Sequence, residues 1–107
     1  MRQFRTGSES IMSRRPIFKF RLYIADHAQN SAQAIANLNA LCRTHLPERH
    51  EIEIVDVLRE PKRALVDGIF LTPTLVKLAP SPTRRIIGTL SQLQPVLLAL
   101  GLEPLVA

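Results

Sequence analysis

The sequence has few of the residues on which catalytic and cofactor-binding sites are usually built. It contains one cysteine, three histidines, four glycines and no tryptophan. A single cysteine forms no intramolecular disulfide, which favours a reducing compartment, and the scattered glycines form no phosphate-binding loop. No apolar run approaches the roughly 18 residues that span a bilayer, and no signal-peptide core follows the first methionine. We therefore expect a cytoplasmic protein without a cofactor and without membrane contact.

The net charge of +5 is confined to the beginning of the chain. Six basic side chains and one acidic side chain within residues 1–21 account for all of it, whereas the two kinds balance over residues 22–107. A nucleic-acid-binding domain carries its basic patch on the folded body, and a short basic tail is usually only solvated. We therefore expect no nucleic-acid partner.

The same pattern suggests the domain boundaries. Residues 1–15 are rich in arginine and serine and show no periodicity, which predicts a disordered basic arm. An alternative is that the true start is Met12 and that the residues before it are a gene-start artefact. Residues 16–103 are predicted to form one domain, because a chain of 107 residues that is 46% apolar can bury an adequate core. Residues 104–107 are assigned to a short tail.

The apolar pattern predicts a β-α-β unit in the first half of the domain. Alternating apolar residues over 17–24 predict a strand. A helix follows, capped by Asn30 or Ser31 and ended by Pro47. The segment 52–57 predicts a second strand, and its nearly continuous apolar end is typical of a strand buried on both faces.

The second half is predicted to continue as α-β-β-α. Pro61 opens a short helix, because proline fits a first helical turn. Strands over 75–79 and 84–87 are joined by a turn and predict an antiparallel hairpin. Ser91 with Gln94 predicts a capping box at the start of the last helix, and the alternative, suggested by Pro95, is a cap nearer Gln94. With a right-handed parallel crossover, the order β-α-β-α-β-β-α is that of a thioredoxin-like α/β domain.

Residues for thioredoxin chemistry are missing from this predicted fold. A thioredoxin enzyme has Cys-x-x-Cys after its first strand, whereas the loop over residues 26–31 reads Asp-His-Ala-Gln-Asn-Ser. Cys42 lies on the apolar side of the first helix and is predicted to be a buried packing residue. No histidine has metal-ligand spacing, and only His27 lies where that fold has its active loop. We therefore expect no catalytic residue and no metal site.

A proline directly before the third strand is the most informative local feature. In a thioredoxin-like order, Thr72-Pro73-Thr74 occupies the position at which that fold has a cis peptide, and this loop borders the usual binding surface. Lys77, Arg84 and Arg85 are predicted to be exposed nearby and to pair with acidic groups on a partner. The alternative is that they are ordinary solvated charges, which contribute little.

These residues are part of a longer pattern that resembles the KaiB family, the small partner proteins of the KaiC ATPase in the cyanobacterial circadian clock. The pattern extends from about Phe18 to Leu100 in ordered blocks with matching gaps. The blocks are Leu22-Tyr23-Ile24-Ala25, Asn30-Ser31, Val55-Asp56-Val57-Leu58 with Pro61, Leu71-Thr72-Pro73-Thr74-Leu75-Val76-Lys77, Pro80, Pro82, Arg84-Arg85-Ile86-Ile87-Gly88 and Leu90-Ser91.

The resemblance implies a non-enzymatic regulator with two folds. One is a ground state that self-associates as a dimer or tetramer and has the order β-α-β-β-α-α-β. The other is a thioredoxin-like monomer that docks on a KaiC-type ATPase and then captures further partners, such as a sensor histidine kinase. The resemblance places partner binding at Tyr23, Lys77, Arg84 and Arg85. It places the cis proline and the conformational switch at Thr72, Pro73, Thr74 and Gly88.

Four departures from the family pattern indicate a divergent member. Gln33 and Gly68 stand where clock members have a basic residue and a lysine, residues 99–101 replace a Gly-Leu-Asp stretch, and no acidic tail precedes Ala107. These changes leave docking on a KaiC-type ATPase as the leading hypothesis, in a circadian or a clock-derived stress system. The alternatives are a thioredoxin-like redox protein and a chaperone-like stress protein that acts without KaiC.

Overall fold

The computed structural model describes residues 16–26 and 28–102. The elements follow the predicted thioredoxin-like order, so the predicted fold class is confirmed. They are β1 (Phe18–Ile24), α1 (Gln29–His45), β2 (His50–Asp56), α2 (Pro61–Val66), β3 (Thr74–Ala79), β4 (Arg84–Ile87) and α3 (Leu93–Ala99). The predicted arm over residues 1–15 and the tail over 104–107 lie outside the described residues.

The strands form one mixed sheet in the order β2-β1-β3-β4. β1 pairs with β2 in parallel, with Tyr23 opposite Val55, and pairs with β3 in antiparallel fashion, with Tyr23 opposite Thr74. β4 completes the predicted hairpin with β3. The prediction that the second strand is buried on both faces is wrong, because β2 is an edge strand and its Ile54 is exposed.

The first face of the sheet carries the main core. The alternating side chains of β1 point to this face and pack against α1 and α3, which excludes apolar surface from water. Cys42 is buried in this core, as predicted. The core residues are Phe18, Phe20, Leu22, Ile24, Ala34, Leu38, Leu41, Cys42, Leu46, Leu75, Leu90, Val96, Leu97 and Leu100.

The second face of the sheet is covered by much less apolar surface. A small buried cluster there consists of Tyr23, Val55, Ala64 and Val76. Ala64 is the residue that α2 buries in it, because the helix spans only Pro61–Val66. The segment from α2 to β3 therefore depends on contacts other than hydrophobic burial for its position.

The helix starts differ from those predicted. α1 begins at Gln29 without a side-chain cap, and the Ser31 hydroxyl instead accepts a hydrogen bond of 3.1 Å from the Ala25 N–H. α3 begins at Leu93, again without a side-chain cap, while the Ser91 hydroxyl accepts a bond from Thr89. Both serines thus fix the loop that leads into a helix. No helix of the described residues is long and apolar enough to cross a membrane.

Candidate protein-docking site

Ion pairs attach α2 to the second face of the sheet. Arg21 on β1 donates a hydrogen bond of 2.8 Å to the Glu53 carboxylate on β2 and one of 3.1 Å to Asp67 at the end of α2. Arg63 of α2 lies 2.8 Å from the other oxygen of Glu53. Hydrogen bonds from Arg63 and Arg21 lower the pKa of Glu53 to about 2. This carboxylate is therefore a charged bridge between the helix and the sheet.

Asp67 connects the same network to the loop that follows α2. Its carboxylate accepts hydrogen bonds from the Tyr23 hydroxyl and from Arg21, which lower its pKa. Its carbonyl oxygen and that of Gly68 accept hydrogen bonds from the Arg85 guanidinium on β4. Gly68 has a φ of +66°, a conformation that favours glycine. The beginning of the loop is thus held from both sides.

Tyr23 supports the loop from its buried side, through the hydrogen bond to Asp67. Its side chain is completely buried in the second-face cluster, and burial is the main cause that raises the pKa of its hydroxyl. The predicted partner-binding residue Tyr23 is thus inaccessible to a partner in this fold. Its hydrogen bond to Asp67 positions residues that are accessible.

The loop exposes large apolar side chains beside β4. Phe70 is 87% exposed, Leu71 is 58% exposed and Ile87 of β4 is 62% exposed. They line a shared hollow of about 140 Å³ that also includes Thr74 and Arg85. We call Phe70, Leu71 and Ile87 the docking patch. Adjacent exposed apolar residues with a charged neighbour are typical of interaction sites, whereas scattered ones need no explanation.

The predicted proline turn forms the far end of the docking patch. The Thr72–Pro73 peptide bond is cis, as predicted, and the bonds before Pro80 and Pro82 are cis as well. The Thr74 hydroxyl donates a hydrogen bond of 2.6 Å to the Leu71 carbonyl oxygen. The Gly88 N–H donates one of 2.9 Å to the Pro73 carbonyl oxygen, with Gly88 at a φ of +120°. The four residues assigned to the switch thus lie together.

The three predicted basic residues do not share one environment. Arg84 and Arg85 are exposed on β4, as predicted. Lys77 was predicted to be exposed, which is wrong, since only 4% of it is accessible. Its ammonium group donates a hydrogen bond of 3.3 Å to the Leu100 carbonyl oxygen and lies 5.6 Å from the centre of the Phe18 ring. Burial is the main cause that lowers its pKa.

The described residues show no reactive thiol and no metal site, the two features that a redox or a metal-dependent enzyme would need. Burial raises the pKa of the Cys42 thiol to about 11, so this cysteine is protonated and a poor nucleophile. Within residues 16–26 and 28–102 no three histidine, cysteine or acidic side chains are grouped to hold a metal ion. His27 lies outside the described residues.

Comparison with known proteins identifies the family. A family model described as the KaiB domain matches residues 21–102. The chain belongs to the KaiB family. The circadian clock protein KaiB3 of Synechocystis is 45% identical over 84 residues, which cover 78% of this chain and 82% of that protein. The circadian clock oscillator protein KaiB of Prochlorococcus marinus is 40% identical over 91 residues, which cover 85% and 78%.

Solved structures confirm the thioredoxin-like fold of this KaiB family member. The N-terminal domain of Synechococcus elongatus SasA superposes with a TM-score of 0.62 at 18% identity, over 86% of this chain and 91% of that one. Thioredoxin from Fasciola hepatica superposes with a TM-score of 0.58 at 17% identity, over 77% and 78%. At these identities the likeness concerns the fold alone.

Proposed function

We propose that this chain is a non-enzymatic regulatory protein of the cytoplasm that docks on a KaiC-type ATPase. The system would be circadian or derived from a clock. The observation that carries the proposal, beside family membership, is the docking patch on a loop that is fixed from both ends. A sensor histidine kinase is the further partner that we propose for the docked chain.

The chemistry of the docking patch suits a protein partner. An aromatic side chain as exposed as Phe70 offers about 150–250 Å² of surface, and the hot spots of interfaces are enriched in such residues. The loop is already ordered by the hydrogen bonds of Thr74 and Arg85, so less conformational entropy is lost on binding. Burying Phe70 against a partner is thus expected to contribute about 1.5–3 kcal/mol.

The charges around the patch suggest how this member differs from its relatives. Gly68, which lines the hollow, supplies no positive charge where the family resemblance implies a lysine. Arg85, at the rim of the hollow, remains. We therefore expect apolar contact to contribute most of the affinity and salt to weaken the complex only moderately, since screening acts mainly on exposed charges.

Titration of a cognate KaiC-type ATPase with the full chain, with and without ATP, tests this proposal. We expect a complex on size exclusion and a loss of affinity of at least about tenfold for Phe70→Ser. Leu98→Ser is the matched control, because Leu98 is 68% exposed but lies on α3, against the other face of the sheet. Absence of any complex, or equal loss in both variants, would contradict the proposal.

Fold switching is a separate part of the proposal. The segment that would rearrange, about 59–91, is held on the second face largely by polar contacts, so an alternative packing within a few kcal/mol is physically reasonable. The ATPase would then select the fold described here from a self-associated dimer or tetramer. Backbone NMR shifts of the isolated chain test this. Helical shifts over 61–66 and a monomeric mass, both before and after docking, would refute it.

A further inference from the structure

A second groove runs along the free edge of the sheet. It has a volume of about 530 Å³ and lies between β4, the loop after it and the beginning of α3. Ile86, Leu90 and Val96 provide apolar lining, while Ser91 and Gln92 add polar groups. The groove is therefore wide enough for side chains of another polypeptide and offers them both kinds of contact.

The strand beside this groove has unused hydrogen-bonding capacity. β4 is the last strand of the sheet and pairs only with β3 among the described residues. Alternate N–H and C=O groups over 84–87 therefore point away from the sheet. Such an edge is a template for an additional strand, and recognition by strand addition uses main-chain hydrogen bonds together with pockets for alternate side chains.

The charge along this edge determines what kind of strand fits. Arg84 makes no ion pair with any residue that the structure describes, and its register partner on β3 is Lys77. The Arg85 guanidinium binds two backbone carbonyls rather than a carboxylate. Among the described residues that line the groove, none is acidic. Arg84 is thus a positive charge at this edge without a counter-charge among the described residues, whereas Arg85 lies near the Asp67 carboxylate.

We propose that the β4 edge binds an extended acidic segment of a partner protein as a fifth strand. Its main chain would pair with residues 84–87, a carboxylate would pair with Arg84, and an apolar side chain would enter the groove at Leu90 and Val96. A second copy of β4 is disfavoured, because the arginines of two such strands would face each other. The groove adjoins the docking patch at Ile87, but the proposal does not depend on an ATPase partner.

A labelled eight-residue peptide in which glutamate and valine alternate at every second position, with threonine between them, is a direct probe, because it presents both kinds of side chain on the face to which Arg84 and Ile86 point. We expect it to bind the full chain in fluorescence anisotropy at low salt and to shift the backbone NMR signals of residues 84–88. A lysine–valine peptide should not bind, and N-methylation of alternate amides should abolish binding by blocking strand pairing. Equal binding of either control peptide, or no binding of the acidic peptide, would overturn the proposal.

A pair of charge variants locates the site. Arg84→Gln is expected to weaken the acidic peptide about fivefold, the value of one exposed ion pair. Arg59→Gln removes another exposed charge, which lies 3.7 Å from the Asp56 carboxylate and away from the groove, and should have no effect. Phe70→Ser should retain peptide binding even if it loses the ATPase, so failure of one proposal is distinguishable from failure of the other. Equal effects of Arg84→Gln and Arg59→Gln would contradict this site.

Discussion

The two faces of the sheet are covered in different ways. On the first face, α1 and α3 bury a continuous set of apolar side chains, including Phe20 and Leu38. On the second face, α2 buries little beyond Ala64 and is attached by Arg21, Glu53 and Asp67. Three large apolar side chains of the second face, those of the docking patch, are instead left exposed at its surface.

This difference assigns most of the folding free energy to the first face and leaves the proposed binding surface on the second. A buried leucine or phenylalanine contributes about 1.5–3 kcal/mol by burial alone, whereas an exposed ion pair contributes about 0.2–1 kcal/mol. The first face therefore supplies most of the folding free energy, and the segment from α2 to the proline turn is the part expected to open most easily. The surface that we propose to bind a partner and to rearrange thus lies on the more weakly held face.

The largest effect is expected from a truncation on the first face. Leu38→Ala removes a fully buried side chain that α1 packs against β1, and should lower the free energy of unfolding by about 2–5 kcal/mol in urea titrations. The control Leu98→Ala, at an exposed position, should change it by less than about 0.5 kcal/mol. Similar losses in the two variants would show that the first face is not the main core.

A smaller and local effect is expected on the second face. Tyr23→Phe removes the hydroxyl that donates to Asp67 and should cost about 1 kcal/mol. Amide hydrogen exchange should become faster over residues 61–71 while exchange in α1 stays unchanged. If α1 and the loop accelerate together, the two faces do not open separately.

Acid should weaken the attachment of α2. The pKa of Glu53 is lowered from 4.5 to about 2 by Arg63 and Arg21. A carboxylate whose pKa is lowered by folding stabilises the fold while it is ionised, above pH 4.5. This contribution to the free energy of unfolding is lost as the pH falls from 4.5 to 2. Wild type should therefore exceed Glu53→Gln in unfolding free energy at pH 7, and the gap should shrink at pH 3. A gap that does not change with pH would contradict the assigned role of this carboxylate.

The smallest effect on stability is expected at the docking patch. Phe70→Ser changes a side chain that is already exposed. The free energy of unfolding from urea titration should therefore change by less than about 0.5 kcal/mol. A loss above about 2 kcal/mol would instead show that Phe70 is part of a core. The small cost makes this variant a clean probe of binding.

The sequence predicted the structure well where apolar residues recur with one period or where a proline fixes the backbone. β1 alternates over its whole length, and Pro61 and Pro73 mark the start of α2 and the cis turn as predicted. The burial of Lys77 was missed, because its position in β3 shares the face of Leu75 and its ammonium group finds a helix-end carbonyl. Only the packing of α3 on the first face reveals this partner.

The loop with the Thr72–Pro73 turn was predicted to border the binding surface, but Phe70, Ile87 and the ion pairs that support the loop were not predicted as parts of a site. Arg21 and Asp67 are 46 residues apart, and no local pattern joins them. Likewise, the apolar end of β2 predicted a strand buried on both faces, yet nothing in the described chain covers its outer edge. The available signal was Phe70, a large apolar residue in a loop between Gly68 and the proline turn, where neither strand nor helix periodicity requires one.

Photo-crosslinking to the KaiC-type ATPase tests most directly whether the second face is the docking face. A benzophenone amino acid would replace Phe70 in one sample and Leu98 in another, both exposed positions but on opposite sides of the sheet. If the second face is the docking face, we expect covalent attachment to the ATPase from position 70 and none from position 98. Attachment from position 98 alone, or equally from both positions, would contradict it.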